Sequence, residues 1–171
     1  MKIYLDMDGV IADFDKRAKS ILGGRSLKSF ATSEEGWNAL GDYKYNMYLL
    51  LDPMPDAHLL VAGVFDLAKK HNSSVGVLTA LPKFNRVPLS EQHKKEWLSK
   101  HFPELLQDFN TGPHAVDKQN HCKTGHVLID DSKLNIPQWN AKGGKGILHN
   151  NAVDSLSELT QYLESMESFI S

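Results

Sequence analysis

Lys2-Ile3-Tyr4-Leu5-Asp6-Met7-Asp8-Gly9-Val10 is the stretch whose reading decides the fold. A short apolar run that ends in two aspartates and a glycine reads as a buried parallel strand over residues 2–6, followed by a tight turn. Far downstream, Val127-Leu128-Ile129-Asp130-Asp131-Ser132 repeats the design. Adjacent parallel strands with acidic carboxyl ends make a crevice suited to a divalent cation and a phosphate.

Between these strands the chain alternates. Phe14, Ala18, Ile21 and Leu22 share one face of a helix over 13–22, closed by Gly23-Gly24. Residues 25–55 are polar and aromatic, with Phe30, Trp37, Tyr43, Tyr45 and Tyr48, and read as short helices and loops of a small cap. A helix over 56–71 follows, then strand Val75–Thr79, a helix over Ser90–His101, and a short strand near Leu106–Phe109. Strands Val127–Asp130 and Gly146–His149 come next. A final helix carries Val153, Leu156, Leu159, Leu163 and Met166 on one stripe, with Ser155 and Glu158 spaced as a capping box. The expected fold is α/β: a Rossmann-like parallel sheet flanked by helices, with a small helical cap inserted after the first strand. Residues 1–14 and 76–171 are assigned to the core and 15–75 to the cap. Gly143-Gly144-Lys145-Gly146 lacks the spacing of a phosphate loop and precedes a strand, so it reads as a turn.

A chain of 171 residues suffices for one well-buried core. Its 19 Lys and Arg against 21 Asp and Glu give a net charge of −2, which argues against a grip on long nucleic acid or on a membrane surface. The single cysteine, Cys122, forms no internal disulfide and suits a reducing compartment. The N-terminus enters a strand without the pattern of a signal peptide, and no apolar run is long enough for a bilayer. A cytoplasmic protein is expected.

Residues two apart at a strand end share a face, within about 7 Å. Asp6 and Asp8 can therefore reach one phosphate. An ionised aspartate attacks phosphorus to give an aspartyl phosphate. A neighbouring carboxyl can protonate the leaving oxygen and then deprotonate the hydrolytic water. Two carboxylates about 4 Å apart repel by about 4 kcal/mol at an effective dielectric of 20, and a shared hard cation such as Mg²⁺ removes that penalty. Asp130-Asp131 also suits a helix N-terminus, but its preceding strand sets it at the same sheet edge as Asp6. Thr79, followed by Ala80, ends another apolar strand and offers a hydroxyl and backbone N–H groups to phosphate oxygens. A lysine is needed to offset the charge, and Lys118 and Lys123 both precede the last acidic strand.

On these residues the chain resembles the haloacid dehalogenase superfamily of phosphohydrolases, and more narrowly its 5′(3′)-deoxyribonucleotidases and related phage and bacterial proteins. Asp6-Met7-Asp8-Gly9-Val10-Ile11-Ala12-Asp13-Phe14 is similar to the first family motif, Leu78-Thr79-Ala80 to the second, and Leu128-Ile129-Asp130-Asp131 to the fourth; Lys94-Lys95-Glu96-Trp97-Leu98 resembles the helix after the second. The resemblance implies Asp6 as nucleophile, Asp8 as acid and base, and Mg²⁺ held by Asp6, the Asp8 carbonyl and an acid of the last pair, Asp131 before Asp130. It favours Lys118 over Lys123, although the connection to the acidic strand is longer than the family's usual one. It also implies a pyrimidine deoxynucleoside monophosphate as substrate, its base against Phe14; Trp37 and the neighbouring tyrosines could supply a second wall, since base stacking on an aromatic ring contributes about 1–3 kcal/mol. Another small phosphorylated metabolite is the alternative.

Two other readings compete. His114, His121, Cys122 and His126 offer four zinc ligands, but at spacings that fit no paired pattern. A phosphoacceptor signalling domain would share the acidic strand tips, a threonine and a lysine. It would need neither an acid at Asp8 nor a cap, and residues 15–75 are too long for a plain crossover.

Overall fold

A computed structural model describes residues 1–83 and 86–168. Five strands, β1 (Lys2–Leu5), β2 (Ser74–Thr79), β3 (Phe109–Thr111), β4 (Val127–Asp130) and β5 (Lys145–Leu148), form one sheet in the order β3-β2-β1-β4-β5. All neighbouring pairs are parallel. The α/β, Rossmann-like fold expected from the alternating pattern is therefore present. The order reverses between β1 and β4, and that switch point opens a crevice beyond their carboxyl ends.

Alternation along the strands builds the layers. Ile3, Leu5, Val77, Val127 and Ile129 enter one core cluster with Leu60 and Val64 of α3 (Ala57–Lys70), Trp97 and Leu98 of α4 (Ser90–His101), and Leu159 and Leu163 of α6 (Ala152–Ser168). Tyr4, Leu78 and Leu128 face the other way, onto Trp139 of α5 (Asn135–Ala141). Among the described residues no helix is long and apolar enough to cross a membrane.

After β1 the chain turns through Gly9 into α1 (Phe14–Ile21), with Asp13 accepting from the Lys16 N–H as its cap. Short 3₁₀ turns and α2 (Ser33–Ala39) follow, the latter opened by a Thr32/Glu35 capping box. The insert leaves and returns through paired segments: Asp13 N–H donates to the Asp52 carbonyl at 2.8 Å, and Met54 N–H to that of Ile11 at 2.9 Å. Trp97 ties its end to the sheet layer, donating to the Leu51 carbonyl at 2.7 Å. α3 then packs against β2 and α6.

Three local readings need correction. The third strand begins at Phe109, after a 3₁₀ turn over Pro103–Asp108, because Leu105 is spent on the core from that turn. The last strand is Lys145–Leu148, one residue earlier than its apolar pattern suggests, and His149 follows it. The Ser155/Glu158 capping box does not form, since α6 starts three residues before Ser155. Asn151 takes that role by accepting from the Asp154 N–H at 2.9 Å, while Ser155 is buried against His149 and Glu158 pairs with Lys145. The glycine run is part turn and part strand: Gly143 turns the chain with φ +83°, Lys145 and Gly146 already lie in β5, and a Cβ at Gly144 would lie 2.3 Å from the Trp139 indole nitrogen.

His149 sits buried with Nδ1 2.8 Å from the Ser155 hydroxyl, and burial pushes its pKa down. The unfolded chain therefore binds a proton at this site first as pH falls. Stability from neutral His149 is full above about pH 6.5 and lost as pH drops from there through the folded value. Thermal melts between pH 7.5 and 5 are expected to fall less steeply for His149→Gln than for the wild type. Equal slopes would remove this histidine from the pH response.

Candidate active site

Asp6 leaves β1 still bonded to β4, its N–H donating to the Ile129 carbonyl at 2.9 Å. Its Oδ1 accepts from the Met7 N–H at 2.7 Å and lies 2.7 Å from Lys118 Nζ. Oδ2 has no hydrogen-bond partner among the described residues. Three residues on, Gly9 has φ +81°, and a Cβ there would lie 2.4 Å from Asp131 Oδ2. Only glycine lets the first acidic tip approach the second so closely.

Asp130 and Asp131 end β4 beside Asp6, and one carboxylate oxygen of each of the three lies within 4.8 Å of the others. The two acids are not equivalent. Asp130 is fully buried, accepting from Lys118 (2.8 Å), the Asn135 amide (2.9 Å) and the Ser132 N–H (2.8 Å). Asp131 is partly exposed, and its nearest cation is Lys28 of the insert at 4.0 Å. Burial, then the Asp130 charge, raises the Asp131 pKa. Burial pushes Asp6 up to about 8: the Lys118 ammonium opposes this, while Asp130, Asp8 and Asp131 add to it.

Lys118 comes from a 3₁₀ turn over Ala115–His121, buried between Asp6 and Asp130. Desolvation lowers its pKa, but those two carboxylates outweigh it and the net shift is upward. Gly112 makes room, since a Cβ there would meet the lysine at 2.9 Å. Lys123 is exposed. Thr79 is fully buried at the end of β2, next to Ala80.

Sequence reasoning missed Lys94. It lies on α4, fully buried, with Nζ 2.7 Å from Asp8 Oδ2, 2.7 Å from Thr79 Oγ1 and 2.8 Å from the Ala80 carbonyl. The signal was its spacing: Lys94 shares a helical face with Trp97 and Leu98, where a solvated lysine does not belong.

A cavity of about 310 Å³ opens beside Asp8, lined by Phe14, Trp37, Tyr48, Ala80 and His114 among others. That is the lower end of small-molecule sites. Phe14 stands 5.7 Å from Trp37 and 5.8 Å from Tyr48, ring centre to ring centre, so three rings make one wall. Tyr43 and Tyr45 are exposed, and of the expected tyrosines Tyr48 is the one that lines the cavity. His121 and His126 pack against Tyr4, and Cys122 donates to the Trp139 carbonyl at 3.5 Å.

This fold is shared with solved structures. A hydrolase from Streptococcus pneumoniae TIGR4 superposes with a TM-score of 0.58 at 10% identity, over 93% of this chain and 97% of that one. The L-2-haloacid dehalogenase of Xanthobacter autotrophicus gives 0.51 at 9% identity, over 92% and 87%. The chain thus has the haloacid dehalogenase-like fold, with its acidic cluster at the sheet's switch point. No family model and no curated protein matches the sequence.

Proposed function

We propose that this chain is a Mg²⁺-dependent phosphomonoesterase working through an aspartyl phosphate on Asp6, with a pyrimidine deoxynucleoside monophosphate as substrate. The observation that carries the reading is the convergence of Asp6, Asp130 and Asp131 beside two buried lysines. Lys118 holds Asp6 and Asp130 and Lys94 holds Asp8, while Asp131 has only the exposed Lys28 at 4.0 Å, so a cation beside Asp131 would complete the charge balance of the cluster. The donors are all hard oxygens, the chemistry Mg²⁺ prefers. Asp6, the Asp8 carbonyl and Asp131 would hold it, with Asp130 already satisfied by its own bonds. When bound, Mg²⁺ offsets charge on the transferring phosphoryl group and keeps Asp6 ionised.

Asp6 attacks phosphorus while the bond to the leaving oxygen breaks and Asp8 gives that oxygen its proton. Asp8 then takes a proton from water, which attacks the phosphorus of the aspartyl phosphate and releases Asp6 and inorganic phosphate. Lys118, with one N–H beyond its two carboxylate partners, holds a phosphoryl oxygen, and Thr79 and Ala80 hold others. The cavity beside Asp8 supports a flat ring on Phe14, Trp37 and Tyr48; the pyrimidine preference rests on the resemblance of the motifs.

Phosphate release from dUMP, dTMP, dGMP and sugar phosphates, with Mg²⁺ and with excess chelator, tests this. The pyrimidine deoxynucleotides are expected to have the highest kcat/KM, and chelator to stop turnover. Base stacking contributes about 1–3 kcal/mol, so Phe14→Ala should lower nucleotide kcat/KM by about 5- to 150-fold and leave sugar phosphates nearly unchanged. If sugar phosphates win, the nucleotide assignment fails and the phosphatase chemistry stands. A phosphorylated Asp6 that persists without turnover would instead favour a phosphoacceptor domain.

A further inference from the structure

An ammonium group has three N–H donors. Lys94 spends all of them inside the protein, on Asp8 Oδ2, Thr79 Oγ1 and the Ala80 carbonyl, and the Tyr48 ring closes its remaining side at 4.5 Å. Lys118 has two such partners and a donor to spare. The two buried lysines are therefore built for different tasks. Asp8 carries the complementary mark: Oδ2 is fixed by Lys94, whereas Oδ1 is buried with no hydrogen-bond partner. A buried acceptor left empty costs about 1–3 kcal/mol, so its retention calls for a use. Asp8 also lines the cavity against the aromatic wall.

We infer that Lys94 is a positioning residue for Asp8. It anchors Oδ2 to the end of β2 and thereby presents Oδ1 as the atom that passes a proton to the leaving oxygen and takes one from water. Thr79 and Ala80 serve as the anchor's fixed points, since both belong to the end of the rigid sheet. This rests on the phosphatase reading above and adds the group that orients its acid.

The test is a double-mutant cycle with dUMP and p-nitrophenyl phosphate in Mg²⁺. Lys94→Met is expected to lower kcat for dUMP by about 10- to 100-fold while KM changes less than about threefold. In an Asp8→Asn background the same change should cost less than about threefold more, because the side chain it positions no longer acts. Affinity for inorganic phosphate, read by calorimetry, should stay within about twofold. Lys94→Gln, whose amide still donates to Oδ2, should recover part of the turnover, and it replaces the Met variant in the cycle if that one fails to fold. Losses that multiply in the Asp8→Asn background, or weakened binding of inorganic phosphate, would make Lys94 a phosphate ligand and overturn the inference. Wild-type protein that releases phosphate from neither substrate defeats the phosphatase reading itself, and that unmutated control separates the two failures.

Discussion

Asp6→Asn is expected to lower phosphate release by about 10⁴-fold or more, with the fold retained. The amide has nearly the same shape and can still accept from the Met7 N–H that holds Asp6. It cannot form the covalent intermediate, and no second carboxylate stands in its place on β1. The same variant separates chemistry from folding. Asp6 is buried among Asp8, Asp130 and Asp131, which raise its pKa alongside desolvation. Removing that charge should keep or raise the melting temperature without Mg²⁺. It should also shrink the stabilisation that Mg²⁺ gives the wild type, because a ligand that binds only the folded state raises stability with the logarithm of its affinity. Wild-type turnover in Asp6→Asn would sink the nucleophile assignment.

Lys118→Ala is the second large effect, and Lys123→Ala its control. Lys118 bridges Asp6 and Asp130 at 2.7 and 2.8 Å with almost no exposure. Deleting one partner of a buried ion pair costs about 3–5 kcal/mol, so a large drop in melting temperature is expected alongside a loss of turnover of about 10³-fold. Lys118→Met, which keeps the packing volume, should recover some stability and almost no turnover. Lys123 is exposed, and its alanine variant should stay within about twofold of wild type in activity. Crippled hydrolysis in Lys123→Ala with Lys118→Ala active would show that the wrong lysine had been assigned.

The two acidic strand tips were legible because parallel strands buried on both faces must be continuous apolar runs, so an acid that ends one marks the sheet edge. Asp13 as a helix start was legible for similarly local reasons. What distance along the chain hides, the sheet order decided. Placing β1 between β2 and β4 sets Asp6 beside Asp130 and Asp131, and Lys118 beneath both. The spacing of Lys94 with Trp97 and Leu98 marked a buried helical face, but nothing nearby in sequence named the partners it would meet there, and most helical lysines are solvated. Its burial follows from α4 laying that face against the end of β2 and the insert, where Asp8 and Thr79 await a cation. Asn151 displaced Ser155 as the α6 cap for the same reason: the buried His149 claimed the Ser155 hydroxyl. Periodicity determined which residues are buried and at which strand ends the acids stand. The pairing of charges at sequence separations of 86 and 12 was settled by tertiary contact, because a buried charge is tolerated only where the fold brings it a partner.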